Sequence, residues 1–166
     1  IKRALILDIG CGSGVPTIEL AKLSGGQITA IDINQTLLET LQRESKQSGF
    51  DDNIMTLKMS IHRISFESGS FDIVWSEGSI YVIGFEKGLK DWRVLLKENG
   101  FLVVHDEMKD VSKKLDLISE NGYQLLGQIE VDSDSMWKEY YEPLQESIRC
   151  CELNSFQIKE IEREID

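Results

Sequence analysis

Leu5-Ile6-Leu7-Asp8-Ile9-Gly10-Cys11-Gly12-Ser13-Gly14, continued by Val15-Pro16-Thr17, decides the fold of this chain. The apolar run from Ala4 to Leu7 reads as a strand buried on both faces. Glycines at alternate positions then predict a tight turn, and Pro16 falls where the first turn of a helix would begin. Strand, glycine loop and helix start together predict a cradle. Glycine lets the backbone approach a ligand closely, and the free N–H groups of the following helix face it.

The spacing bears on which ligand. A dinucleotide fingerprint requires G-x-G-x-x-G, and Val15 occupies its sixth position. Asp8 closes the strand, where a carboxylate repels a diphosphate but attracts a cationic amino group. On D-x-G-x-G-x-G the chain resembles the class I S-adenosylmethionine-dependent methyltransferases. The resemblance implies S-adenosyl-L-methionine as cofactor, with Asp8, Gly10, Cys11, Gly12 and Gly14 around its methionine end. A glycine-rich βα turn with no ligand is the plain alternative.

A length of 166 residues predicts one domain (1–166) with a proper core. The 18 basic and 29 acidic side chains leave a net charge of −11, which argues against nucleic acid or an anionic membrane as partner. A small molecule or a protein is the expected substrate instead, the small molecule being preferred. Three cysteines, two of them adjacent, form no disulfide framework, and no C-x-x-C or histidine cluster suggests a metal. Without a long apolar run or a signal peptide, the expected location is cytoplasmic. Ile1 is not a start methionine and the first strand follows almost at once, so the natural chain is expected to extend upstream.

Further along, residues 15–23 read as a helix with Val15, Ile18 and Ala21 inward, and 27–31 as a second strand ended by Asp32. Asp32 follows Asp8 by 24 residues, near the roughly 20-residue offset at which an acidic residue meets ribose hydroxyls. Ile33 beside it offers an apolar face to adenine. Asp32 as a helix N-cap is the alternative, although Asn34 suits that task as well. A helix over 35–48, a strand over 54–59 and then Ser60-Ile61 follow. In the resembled family the adenine pocket falls at Ser60 and Ile61; His62-Arg63 stands where family members often carry an acidic residue.

Residues 71–75 read as a fourth strand, and Ser70-Phe71-Asp72-Ile73-Val74 resembles the family's fourth strand. Glu77 and Tyr81, leaving its carboxyl end, are expected to look into the cleft at the topological switch point, Glu77 toward the cofactor's charged end or the acceptor and Tyr81 on the substrate side. Helix packing is the alternative for Tyr81. Phe85, Leu89, Trp92 and Leu96 form a helical stripe read as core, with Lys97 to Gly100 ending that helix before a fifth strand over 101–104. His105 closes the fifth strand, as a substrate-side residue or a solvated strand end. A helix over 110–121, a sixth strand over 123–131 and tail helices over 135–151 and 154–165 complete the expectation.

The resemblance covers nearly the whole chain, and Ser76 to Tyr81 with Trp137 to Tyr141 looks like bacterial and archaeal small-molecule-type methyltransferases. It implies a Rossmann-like, mainly parallel α/β sheet with helices on both faces, in the order 3-2-1-4-5 followed by 6; the family usually adds a seventh, antiparallel strand, and no stretch after the sixth reads as one. It also implies transfer of a methyl group to an acceptor by in-line displacement, driven mostly by positioning in a dry cleft. No general base is named by the residues. Two other classes stay open: a non-catalytic or partner-dependent S-adenosylmethionine-binding domain, and a nicotinamide-dependent oxidoreductase.

Overall fold

The computed structural model describes residues 3–130; the stretches expected to form tail helices, 135–151 and 154–165, and Trp137 to Tyr141 lie outside the described residues. Contacts group Ile1–Leu125 into one compact unit and Leu126–Asp166 into another. The first unit is built on five parallel strands: β1 (Leu5–Ile9), β2 (Gln27–Asp32), β3 (Ile54–Lys58), β4 (Phe71–Glu77) and β5 (Leu96–His105). Their order is β3-β2-β1-β4-β5, as expected, which puts the switch point between β1 and β4.

Among the described residues four α-helices are interspersed with the strands: α1 (Val15–Ser24), α2 (Gln35–Gln47), α3 (Phe85–Arg93) and α4 (Val111–Glu120). On one face of the sheet Ile6, Ile28, Ala30 and Ile54 meet Ile18 and Ala21 of α1 and Leu38 and Leu41 of α2. On the other, Leu7, Ile9, Ile31 and Val74 meet Ile80, Trp92 and Leu95. Burying each such large side chain is worth roughly 1.5–3 kcal/mol, so these two layers hold the sheet between helices. Asn34 caps α2, its side chain accepting from the Thr36 and Leu37 amides.

Three local expectations are corrected. Val15 is exposed, and Thr17 takes the inward place beside Ile18 and Ala21, because its hydroxyl has a buried partner there. The third helix stops at Arg93, and Leu96 begins β5. Lys97 to Gly100 form an irregularity inside that strand, between the pairs Phe71↔Leu96 and Ile73↔Phe101. Asn99 with φ 60° makes the detour, and Lys97 is anchored to Asp72 at 2.9 Å. Finally, residues 123–130 hold no strand. Tyr123 instead donates its hydroxyl to the Leu89 carbonyl at 2.9 Å and lies under the Arg93 guanidinium, so the chain is tied to α3 and not to the sheet edge.

Candidate functional site

At the carboxyl end of β1 the glycine loop is suspended between its neighbours. Toward β2, the amides of Gly10 and Cys11 both donate to the Ile31 carbonyl, at 2.9 and 3.1 Å. Asp32 extends that hold: one carboxylate oxygen accepts the Gly12 amide at 3.0 Å and the other the Asn34 amide at 2.8 Å. Each oxygen keeps a free lone pair for a further donor. Toward β4 the backbone ladder ends at Asp8↔Trp75, and a side chain takes over, the Ser79 hydroxyl donating to the Ile9 carbonyl at 2.6 Å.

The three glycines do different work. A Cβ on Gly10 would lie 2.5 Å from the Ser79 Cβ, and one on Gly14 2.2 Å from Leu41. At Gly12, with φ +54°, a Cβ would meet nothing within 4 Å, so that position opens onto empty space. Protein packing therefore explains Gly10 and Gly14, whereas Gly12 is left facing outward.

Beside the loop lies a cavity of about 310 Å³. Gly10, Asp32, Ile33, Ser60, Ile61 and Tyr81 line it, so the structure brings these six predicted site residues together. Met59, His62, Gly78, Ser79 and Val82 join them. Met59 only needed the strand end to be followed one residue earlier. Ser79 lies in the Ser76-to-Tyr81 stretch that stands out in the sequence, but nothing local gives its hydroxyl an acceptor, and Val82 carries no sequence signal; both reach the cavity from β4 through the strand order.

Other predicted residues stand elsewhere. Asp8 is buried beneath the loop, on the face covered by α1, and its carboxylate accepts the Thr17 hydroxyl at 2.6 Å. Burial raises its pKa to about 7, against the lowering effect of Thr17, with Glu77 and Asp32 adding smaller upward pushes. The Cys11 side chain belongs to the core, where burial pushes its thiol well up, so it has no thiolate character. Gly14 precedes α1 with φ 87°. Glu77 shares a second groove, on the α1 side, with Trp75, Val15, Pro16 and Glu19. His105 is paired with Glu77 in register, and its carbonyl accepts the Gly78 amide at 3.2 Å.

Among the described residues, no group of three or more His, Cys, Asp or Glu side chains is arranged to hold a metal, and no helix is long and apolar enough to cross a membrane.

An open parallel sheet with a cavity at the carboxyl ends of its central strands is the arrangement in which α/β domains of this doubly wound class place their ligand sites. Residues 6–100 match the methyltransferase domain family, and the chain belongs to that family. A C-methyltransferase of ubiquinone and menaquinone biosynthesis, UbiE, from Hahella chejuensis is 31% identical over 153 residues, covering 88% of this chain and 60% of that protein. An uncharacterized protein of Haemophilus influenzae is 30% identical over 106 residues, covering 62% of this chain and 42% of that one. The chain thus spans about half the length of these relatives. In fold it is similar to a SAM-dependent methyltransferase from Aquifex aeolicus, with TM-score 0.64 and 18% identity over 77% of this chain and 76% of the other. The [4+2]-cyclase SpnF superposes as well, with TM-score 0.65 and 19% identity over 75% of this chain and 53% of that one.

Proposed function

We propose that this chain binds S-adenosyl-L-methionine and directs its methyl group to a small-molecule acceptor. The observation that carries the reading is Asp32, which lines the cavity and at the same time accepts the amide of an outward-facing Gly12. The residues present fit the cofactor. Asp32 keeps acceptor capacity for vicinal ribose hydroxyls. Ile33, Met59 and Ile61 offer apolar contact to a flat base, with the Ser60 hydroxyl beside them. The Gly10 and Gly12 backbone and residues 78–82 would hold the amino-acid end. When bound, the cofactor supplies an electrophilic methyl on a sulfonium.

Asp8, Gly14 and Cys11 serve this reading from behind the loop: Asp8 ties α1 beneath it through Thr17, Gly14 starts the helix, and Cys11 packs the loop onto the core. Tyr81, two-thirds exposed at the cavity mouth, and His105 and Glu77 at the adjacent strand ends are assigned to the acceptor side. A neutral thioether leaving group needs no acid, so positioning and exclusion of water are what the chain must supply. The net charge of −11 favours a neutral or cationic small acceptor over nucleic acid or an anionic membrane, in keeping with a cytoplasmic enzyme. Calorimetric titration with S-adenosylhomocysteine tests the reading directly. Saturable one-site binding is expected; no heat with this ligand but binding of a nicotinamide dinucleotide would replace it with the oxidoreductase reading. Methyl-labelled cofactor with a metabolite panel then separates turnover from binding alone.

A further inference from the structure

The β1–β4 ladder has its last pair at Asp8↔Trp75, and beyond it the two strands diverge to open the cleft. Divergence leaves the Ile9 carbonyl, in a fully buried residue, without a backbone donor from β4. The Ser79 hydroxyl fills that place at 2.6 Å. Ser76 lies 2.8 Å behind it, oxygen to oxygen. Since Ser79 has one proton and gives it to Ile9, Ser76 must donate to Ser79, and the chain runs one way: Ser76 to Ser79 to the Ile9 carbonyl. Both serines are buried. Gly10 is shaped to this contact, for any side chain there would strike Ser79.

We propose that Ser79 is a positioning residue: its hydroxyl locks the 78–82 wall of the cavity to the end of β1, presetting the gap that the amino-acid end of the cofactor spans. The proposal rests on the cofactor reading above. Asp32 holds the loop from the β2 side and Ser79 from the β4 side, so the two sides are separable by ligand. Adenosine engages the Asp32, Ile33, Ser60 and Ile61 side alone, whereas S-adenosylhomocysteine also reaches the Ser79 side.

Calorimetry with both ligands on wild type, Ser79→Ala and Ser76→Ala tests this, with thermal unfolding of the free proteins as the second readout. Ser79→Ala is expected to bind S-adenosylhomocysteine at least about fivefold more weakly, the scale of one lost hydrogen bond, and adenosine within about twofold of wild type. Ser76→Ala, which loosens the chain from its far end, is expected to show the same selectivity at about twofold. Equal losses on both ligands, or none on either, in a folded variant overturn the proposal, because a merely structural serine cannot discriminate between them. Should Ser79→Ala fail to fold, the ratio in Ser76→Ala decides alone. Wild-type protein that binds neither ligand would instead overturn the cofactor reading, and the proposal with it.

Discussion

Asp32 and Gly12 are joined across 20 residues of sequence by a 3.0 Å bond from amide to carboxylate, which makes the residue proposed for the ribose also the strut of the glycine loop. The other Asp32 oxygen is committed to the Asn34 amide, so two donors depend on two different oxygens.

That geometry separates Asp32 from a generic negative charge. Asp32→Ala is expected to weaken S-adenosylhomocysteine binding by roughly 1.5–3 kcal/mol, the range for hydrogen bonds to a charged group. Asp32→Asn is expected to fare nearly as badly, since its single oxygen can serve only one amide and its NH2 group faces the other. Calorimetry on the three proteins decides; an Asn variant that binds like wild type would leave the strut without a role.

Gly12 and Gly14 should answer to different assays. Gly14→Ala sets a methyl 2.2 Å from the buried Leu41 at φ 87°, so it is expected to lower unfolding free energy by about 2 kcal/mol or more. Gly12→Ala meets open space at φ +54° and should cost about 1 kcal/mol of strain, while cofactor affinity falls further because the methyl occupies the approach to the backbone. Urea unfolding beside ligand titration shows the crossover. Gly12→Val, bulkier still, should abolish binding in a folded protein.

Local signals made much of this legible. The loop, the Asn34 cap and the placement of Asp32, Ile33, Ser60 and Ile61 at the strand ends all follow from residues close in sequence to the element they shape. Asp8 shows where that stops. A strand-end carboxylate can point to either face, and the parity that puts Asp8 with Ile6, under α1, is set by which face the helix covers. The Ser76-to-Tyr81 stretch stands out, but the role of Ser79 within it does not, because its partner, Ile9, lies 70 residues away and is met only through the strand order. Lys97 to Gly100 misled for another reason: Asn-Gly suits a helix end and a strand irregularity equally, and only pairing with β4 decides between them.

Asp72 secures the opposite end of the site's central strand pair. Its carboxylate takes the Leu5 amide at 2.8 Å and the Lys97 ammonium at 2.9 Å, and the amide first, then the lysine, hold its pKa below the usual value of 3.8. Asp72→Ala is expected to cost about 1 kcal/mol, mainly by removing the acceptor of the Leu5 amide, and Lys97→Ala less, since its ion pair is only half-buried. A depressed carboxylate stabilises above its unfolded pKa, so this contribution is present above about pH 4 and lost as pH falls below it. Urea unfolding of the two variants at pH 7 and pH 3 checks both parts.

Asp8 should bend the stability profile the other way. Its neighbours are the Thr17 hydroxyl, the buried Cys11 thiol and the carboxylates of Glu77 and Asp32; none of them is a cation, and burial dominates. The carboxyl therefore stays protonated in the folded protein up to about pH 7, while in the unfolded chain it ionises near 3.8. Between those values the folded state binds more protons, so stability falls as pH rises from 3.8 to about 7 and levels off above. Asp8→Asn keeps an acceptor for Thr17 without an ionisable group. It is expected to remove this slope and to be more stable than wild type at pH 8, as measured by urea unfolding from pH 4 to 8. A variant with an unaltered slope would mean that Asp8 ionises freely beneath the loop, and that burial under α1 is not what governs its charge.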